Sequence, residues 1–105
     1  MCLSLRKNKL EKFEINLRNL EELDLSYNET LERLRPGAFK NLSNLKRLRL
    51  YGCSLKVVDA NTFEGLYCLE HLNLAQNGLE DIGVGTFDLM ENLKMLDISK
   101  NRSLL

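Results

Sequence analysis

Side chains suited to acid–base or nucleophilic catalysis are scarce in this chain, which contains one histidine and three cysteines. A catalytic histidine needs a serine or cysteine nucleophile and an orienting carboxylate within reach. The positions predicted to surround His71 offer Arg49, Glu70 and Asn73 but no such nucleophile. No cysteine and histidine group has the spacing of a zinc site, and no glycine-rich segment resembles a phosphate-binding loop. The sequence therefore predicts no catalytic residue, no metal site and no cofactor, and we do not expect an enzyme.

Charge and composition argue against two classes of partner. Fifteen lysine and arginine residues balance fifteen aspartate and glutamate residues, so no net field attracts a nucleic acid. Charged or polar residues interrupt every apolar cluster, so no segment approaches the ~18 consecutive apolar residues of a membrane span. The first residues also lack the apolar core of a signal peptide. We therefore expect neither nucleic-acid binding nor direct membrane insertion by this segment.

The elements that must position any functional side chain are defined by leucine, which occupies 24 of the 105 positions. The motif Leu-x-x-Leu-x-Leu-x-x-Asn/Cys-x-Leu recurs with its central apolar residue at Leu5, Leu25, Leu50, Leu74 and Ile98. Alternate residues of a strand share a face, so each motif predicts one short strand with inward leucines. Strands that repeat in one direction predict a parallel sheet. We predict one domain over 1–105, with a partial coil 1–19, coils 20–44, 45–68 and 69–92, and a partial coil 93–105.

The second half of each coil repeats as well, with phenylalanine at Phe39, Phe63 and Phe87, which we interpret as a convex spine. A 24-residue repeat with a phenylalanine near its end resembles the extracellular class of the leucine-rich repeat family, most closely a Toll-like receptor ectodomain. This resemblance implies an α/β solenoid forming a short right-handed superhelix of about four to five coils. It also implies a curved parallel sheet on the concave face, with loops and short 3-10 or α turns on the convex face.

One position of the motif, three residues after the central apolar residue, is predicted to be structural. An asparagine there can satisfy backbone groups that the tight bend would leave unpaired. The residues of this turn ladder are Asn8, Asn28, Cys53, Asn77 and Asn101. A disulfide needs Cα atoms within ~7 Å, and the repeat keeps Cys53 far from Cys2 and Cys68. We therefore predict no disulfide.

Three sequences of the form Asn-x-Ser/Thr fit the N-glycosylation pattern and begin at Asn28, Asn41 and Asn101. Asn28 and Asn101 occupy the inward turn position, where a glycan would block folding. Asn41 lies between Phe39 and the next strand, near the expected surface. It is the glycosylation candidate if the protein is secreted.

Outward-facing residues of the strands are predicted to form rows across the concave sheet. The rows are Cys2, Glu22, Arg47, His71 and Met95, then Ser4, Asp24, Arg49, Asn73 and Asp97, then Arg6, Ser26, Tyr51, Ala75 and Ser99. Tyrosine and arginine are frequent interface anchors, so this surface is a candidate binding site for a protein or glycan. The candidate residues are Glu22, Asp24, Tyr27, Arg47, Arg49, Tyr51, His71, Asn73, Met95 and Asp97. The alternative is that Glu22–Arg47 and Asp24–Arg49 are cross-strand pairs of ~0.2–1 kcal/mol that only keep the sheet soluble.

The sequence leaves the role of the protein open between three classes. The resemblance favours a recognition module of a receptor or matrix ectodomain, outside the cell or at its surface as part of a longer chain. The alternatives are a structural spacer without a ligand and a cytoplasmic adaptor. Cysteine-rich end modules are absent from the sequence, so an apolar edge of Leu93, Leu96, Ile98 and Leu104 is expected to favour self-association through uncapped ends.

Overall fold

The computed structural model describes residues 2–6, 18–29 and 31–102, and these contain seven short strands. The strands are β1 (Cys2–Ser4), β2 (Glu22–Asp24), β3 (Arg47–Arg49), β4 (Val57–Val58), β5 (His71–Asn73), β6 (Asp81–Ile82) and β7 (Met95–Asp97). Five of them form one parallel sheet in the order β1-β2-β3-β5-β7. Because one coil of chain separates each strand of this sheet from the next, the predicted parallel-strand solenoid is confirmed.

The register of the main sheet aligns the leucines of successive coils. Leu23 is the Cα partner of Leu48, and Leu48 is the partner of Leu72. These three side chains are buried, whereas both flanking residues of each strand reach solvent at least in part. The motif leucines that follow the strands join the same core, at Leu25, Leu31, Leu50, Leu55, Leu74 and Leu79. The period of the leucines therefore fixes which side of each strand faces outward.

The returning halves of the coils consist of turns and the strands β4 and β6, without an α-helix in the described residues. β4 and β6 form a second, two-stranded parallel sheet in which Val58 is the partner of Ile82. The sequence analysis did not predict this sheet, because two-residue strands show no alternation. The phenylalanines lie on this side: Phe39 and Phe63 are buried, and the ring of Phe63 stacks on Phe87 with centroids 6.3 Å apart.

A residue with positive φ follows each strand of the main sheet from β2 onward. These residues are Tyr27 (φ 63°), Gly52 (φ 67°), Gln76 (φ 52°) and Lys100 (φ 58°). The left-handed conformation bends the chain away from the sheet at the same place in each of these four coils. Non-glycine residues adopt it at a cost of roughly 1–2 kcal/mol, so packing around the bend must hold the conformation in three of these four coils.

Two residues of the third predicted row do not face outward. Ser26 and Ala75 are only 2% and 1% exposed, so this part of the prediction is wrong. The reason is that β2 and β5 end at Asp24 and Asn73. The alternation of strand faces therefore stops before these positions.

The last strand of the sheet is more exposed than the others. Leu96 in β7 is 37% exposed, whereas its partner Leu72 is 1% exposed. Leu93 and Ile98 are half-buried and pack against the core. Leu104 of the predicted edge and Asn8 of the turn ladder lie outside the described residues. Self-association through this edge stays a prediction.

Candidate functional site

The observed register brings the residues of the first two predicted rows together on the concave side of the main sheet. In the first row Glu22 pairs with Arg47, Arg47 with His71, and His71 with Met95. The second row continues from Asp24 through Arg49 and Asn73 to Asp97. We call these eight residues the concave surface. Arg47, Arg49 and Met95 are its exposed members, and the other five are half-buried.

One of the two predicted cross-strand ion pairs forms. Arg47 donates through Nη1 to Oε1 of Glu22, and this hydrogen bond is the main cause of a lowered pKa of the Glu22 carboxyl. The predicted Asp24–Arg49 pair is wrong, because Asp24 Oδ2 lies 3.6 Å from Nε of Arg6 in the preceding coil instead. Arg49 forms no ion pair within the described part of the chain.

Three side chains of the second row accept hydrogen bonds from the backbone just after their own strands. In each case the side-chain oxygen accepts the N–H group two residues later, which closes the bend after the strand. The bonds, each 2.9 Å, are Ser26 N to Asp24 Oδ1, Ala75 N to Asn73 Oδ1 and Ser99 N to Asp97 Oδ1. The pKa of Asp97 is lowered, first by a hydrogen bond from the Ser99 side chain and then by this backbone bond. These side chains therefore stabilise the bend as well as line the surface.

Arg49 is the exception in the second row, because an arginine cannot accept a hydrogen bond. The N–H group that it would have to satisfy belongs to Tyr51. That group donates instead to Oγ of Ser26 in the preceding coil, at 3.1 Å. The buried Ser26 thus replaces the missing acceptor and leaves the Arg49 side chain free of any structural hydrogen bond in the described residues.

The two candidate tyrosines lie together at the end of the strands. The rings of Tyr27 and Tyr51 meet edge to face with centroids 5.1 Å apart, and the Arg6 guanidinium lies 5.2 Å from the centre of the Tyr27 ring. Tyr27 also covers Gly52, where a Cβ atom would stand 3.0 Å from its Cδ1. Both tyrosines are half-buried, so packing restricts them more than the exposed arginines.

Two depressions adjoin these residues. A cavity of about 130 Å³ opens on the concave surface, and its polar walls include Arg49, His71 and Asn73, with Met95 at its side. Met95 is 58% exposed. A wider groove of about 810 Å³ follows the bends and passes Tyr27 and Lys100. The smaller cavity has the dimensions of one side chain and lies between the free arginine and an exposed apolar residue.

The three asparagines of the turn ladder that the structure describes are buried, and their side-chain amides donate to backbone carbonyls of two adjacent coils. The bonds are Asn28 to Leu5 O (2.9 Å) and Leu25 O (2.6 Å), Asn77 to Leu50 O and Leu74 O (2.9 Å each), and Asn101 to Leu74 O (3.0 Å) and Ile98 O (2.8 Å). Oδ1 of Asn77 accepts the N–H group of Cys53 at 2.8 Å. These side chains therefore connect one coil to the next.

Cys53 takes the donor role of the missing asparagine at its position. Its Sγ donates to Leu25 O at 3.1 Å. Burial raises the pKa of the Cys53 thiol to about 11, against the opposing effect of the Asn28 and Tyr27 backbone groups. The thiol is therefore protonated at neutral pH and remains a donor. Cys2 and Cys68 are exposed free thiols.

Sequence reasoning missed a second set of asparagines. The side chain of Asn44 donates to Arg18 O at 2.8 Å, and that of Asn92 donates to Tyr67 O at 3.1 Å. Both stand immediately before the first leucine of a motif, as Cys68 does in the coil between them. The recurrence of asparagine before this leucine was the available signal.

Two negative findings apply to residues 2–6, 18–29 and 31–102. No three histidine, cysteine, aspartate or glutamate side chains there are grouped so that they could hold a metal ion. No helix in those ranges has the length and apolar character that a bilayer crossing requires.

Comparisons with known proteins agree with the repeat and the register. Residues 18–79 and 43–102 match the family described as Leucine rich repeat. Toll-like receptor 3 of Bos taurus is 38% identical over 98 residues, which cover 85% of this chain and 11% of the receptor. Podocan-like protein 1 of Mus musculus is 41% identical over 87 residues, covering 81% of this chain and 15% of the relative. CD180 antigen of Mus musculus is 39% identical over 87 residues, covering 82% of this chain and 13% of the relative.

The chain thus spans 11 to 15% of the length of these relatives. The similarity confirms the resemblance to a Toll-like receptor that the sequence predicted. Three observations lead to one conclusion: the parallel strands lie in register, the ladder asparagines are buried, and the family match extends from residue 18 to residue 102. The chain belongs to the leucine-rich repeat family.

Proposed function

We propose that the chain is a recognition module that binds a protein or glycan partner with its concave surface, as part of a receptor or matrix ectodomain. The similarity to Toll-like receptor 3, a receptor by name, supports this role. Because the chain spans 11% of that relative, the concave surface would be one portion of a longer binding face.

The proposal rests on the exposed side chain of Arg49 and on how the bend beside it is stabilised. The equivalent side chains Asp24, Asn73 and Asp97 all stabilise the bend that follows their strands. At Arg49 the bend is stabilised from another coil by Ser26. The fold thus holds an exposed arginine at a position where a side chain with a hydrogen-bond acceptor would stabilise the bend directly. The Arg49 side chain is therefore available to bind a partner.

The surroundings of Arg49 suit a partner with an acidic or carbonyl group. A guanidinium presents a planar fork of donors that can bind a carboxylate or sulfate through two hydrogen bonds. The adjacent cavity of about 130 Å³ has room for one side chain of the partner. Met95 offers an adaptable apolar contact beside it.

The test is a binding screen of the purified chain against an array of secreted and cell-surface ectodomains and a glycan array. Each hit is then measured with R49E and with R33E, a matched reversal of an exposed arginine on the convex side. We expect R49E to weaken a partner about tenfold or more, equivalent to about 1.4 kcal/mol, and R33E to leave its affinity unchanged. Thermal unfolding of both variants controls for the fold.

Two results contradict the proposal. Hits whose affinity R49E and R33E change equally would place the binding site elsewhere. A chain that binds nothing on either array would fit a structural spacer.

A further inference from the structure

We propose that Asn41 is an N-glycosylation site and that, among the three Asn-x-Ser/Thr sequences, it alone carries a glycan in the folded protein. The motif itself does not distinguish Asn41 from Asn28 and Asn101. The three amides differ, however, in their burial and in their hydrogen bonds. The inference rests on the proposed ectodomain location, because this modification occurs on secreted chains, but it does not depend on the binding role of the concave surface.

Asn28 and Asn101 cannot carry a glycan in this fold. Asn28 is 0% exposed and Asn101 is 7% exposed. The amide nitrogen of Asn28 already donates to the carbonyl oxygens of two coils, at 2.9 Å and 2.6 Å. A sugar on that nitrogen would replace one N–H donor and would need space inside the core. A chain modified at either residue therefore loses the contacts that stack its coils.

Asn41 has the opposite environment. Asn41 and Ser43 are both exposed, while Leu42 between them is buried in the core. The backbone on both sides is held by hydrogen bonds from Leu42 N to Phe39 O (2.9 Å) and from Leu45 N to Leu42 O (3.0 Å). The amide of Asn41 forms no hydrogen bond in the described ranges. Leu42 thus anchors the segment so that both functional side chains of the motif project into solvent.

The modification is a group transfer from a lipid-linked oligosaccharide diphosphate. Nδ2 of Asn41 attacks the anomeric carbon of the first sugar and forms the C–N bond. The C–O bond to the diphosphate breaks, the lipid diphosphate leaves with the electron pair, and the amide nitrogen loses one proton. No contact of the turn ladder changes, because Asn41 is not part of it.

The experiment expresses the full chain behind a cleavable secretion signal in mammalian cells. Glycosidase treatment that converts a glycosylated asparagine to aspartate, followed by peptide mapping, identifies the modified residue. We expect the secreted protein to be modified at Asn41 only. N41Q and S43A should both abolish the glycan, whereas N61Q, which alters an exposed asparagine outside any such motif, should retain it.

If little protein is secreted, the same mapping is applied to the protease-resistant fraction from the cells, which contains the folded chains. A glycan on Asn28 or Asn101 in folded protein would overturn the inference, as would an unmodified Asn41 in either fraction. A glycan that persists in S43A would also contradict it.

Discussion

At the scale of single residues, the ladder asparagines connect one coil to the next. Asn77 donates to carbonyls of two coils and accepts two backbone N–H groups, from Cys53 at 2.8 Å and Leu55 at 3.1 Å. Cys53 makes only thiol contacts to carbonyls at the equivalent place. Asn77 therefore forms more hydrogen bonds to the neighbouring coil than Cys53 does.

Replacing Asn77 by alanine should destabilise the protein strongly. N77A leaves the N–H groups of Cys53 and Leu55 without their acceptor, and each such buried group costs about 1–3 kcal/mol, so we expect a loss of ~2–6 kcal/mol. Urea unfolding followed by circular dichroism measures the change. The control is N61A, which removes an exposed asparagine side chain and should shift the midpoint little. Equal midpoints for the two variants would refute a structural role of the ladder.

The spacing predicted a structural role for Asn28, Asn77 and Asn101, which bond to adjacent coils, but it did not predict the state of Arg49. The motif places an asparagine three residues after the central leucine. On a tight bend such a side chain is expected to bond to backbone groups. That Arg49 has no ion pair or side-chain hydrogen bond within residues 2–6, 18–29 and 31–102 depends on the Ser26 hydroxyl, which bonds to Tyr51 across 25 residues. It depends also on Arg6, which pairs with Asp24. Contacts between coils of this kind cannot be obtained from the pattern within one coil.

The bends after the strands depend on the left-handed residue in each coil. Gly52 is the one glycine among the four described, and the ring of Tyr27 covers it so closely that a Cβ atom would stand 3.0 Å from Cδ1 and 3.2 Å from Cε1. Two requirements therefore coincide at Gly52: positive φ and the absence of a side chain.

We expect G52A to be destabilising by about 1–2 kcal/mol from the left-handed backbone alone, with a further loss if the Tyr27–Tyr51 contact opens. G78A is the matched control, because Gly78 lacks a positive φ and its nearest neighbour would be Leu55 O at 3.9 Å from the new Cβ. The G78A substitution should be neutral or slightly stabilising, because alanine lowers the conformational entropy of the unfolded chain. Differential scanning calorimetry of both variants tests this difference, and a G52A that unfolds like G78A would show that the bend tolerates a side chain.

The strands of the main sheet were predictable as elements, and their ends were not. Leucine at alternate positions with a regular period determined β2, β3, β5 and β7 and their partners. The burial of Ser26 and Ala75 was missed because β2 and β5 end at Asp24 and Asn73, two residues before these positions. β4 and β6 were missed because Val57–Val58 and Asp81–Ile82 are too short to show a period.

For the whole molecule, stability depends on the stacking of coils. One coil cannot bury its leucines alone, so each coil requires a neighbour. The exposure of Leu96 shows this dependence: it is 37% exposed in β7, whereas Leu23, Leu48 and Leu72 in the preceding strands are 0 to 1% exposed. The same stacking places Arg49 at a fixed position relative to His71 and Met95, which a binding surface requires.

The register of the main sheet is the basis for both the fold and the proposed binding surface, and NMR measures it directly. In the folded chain, nuclear Overhauser contacts between backbone protons should connect Leu23 with Leu48, and Leu48 with Leu72. Contacts displaced by one residue would contradict the account, because a one-residue slip would turn Arg47 and Arg49 into the core.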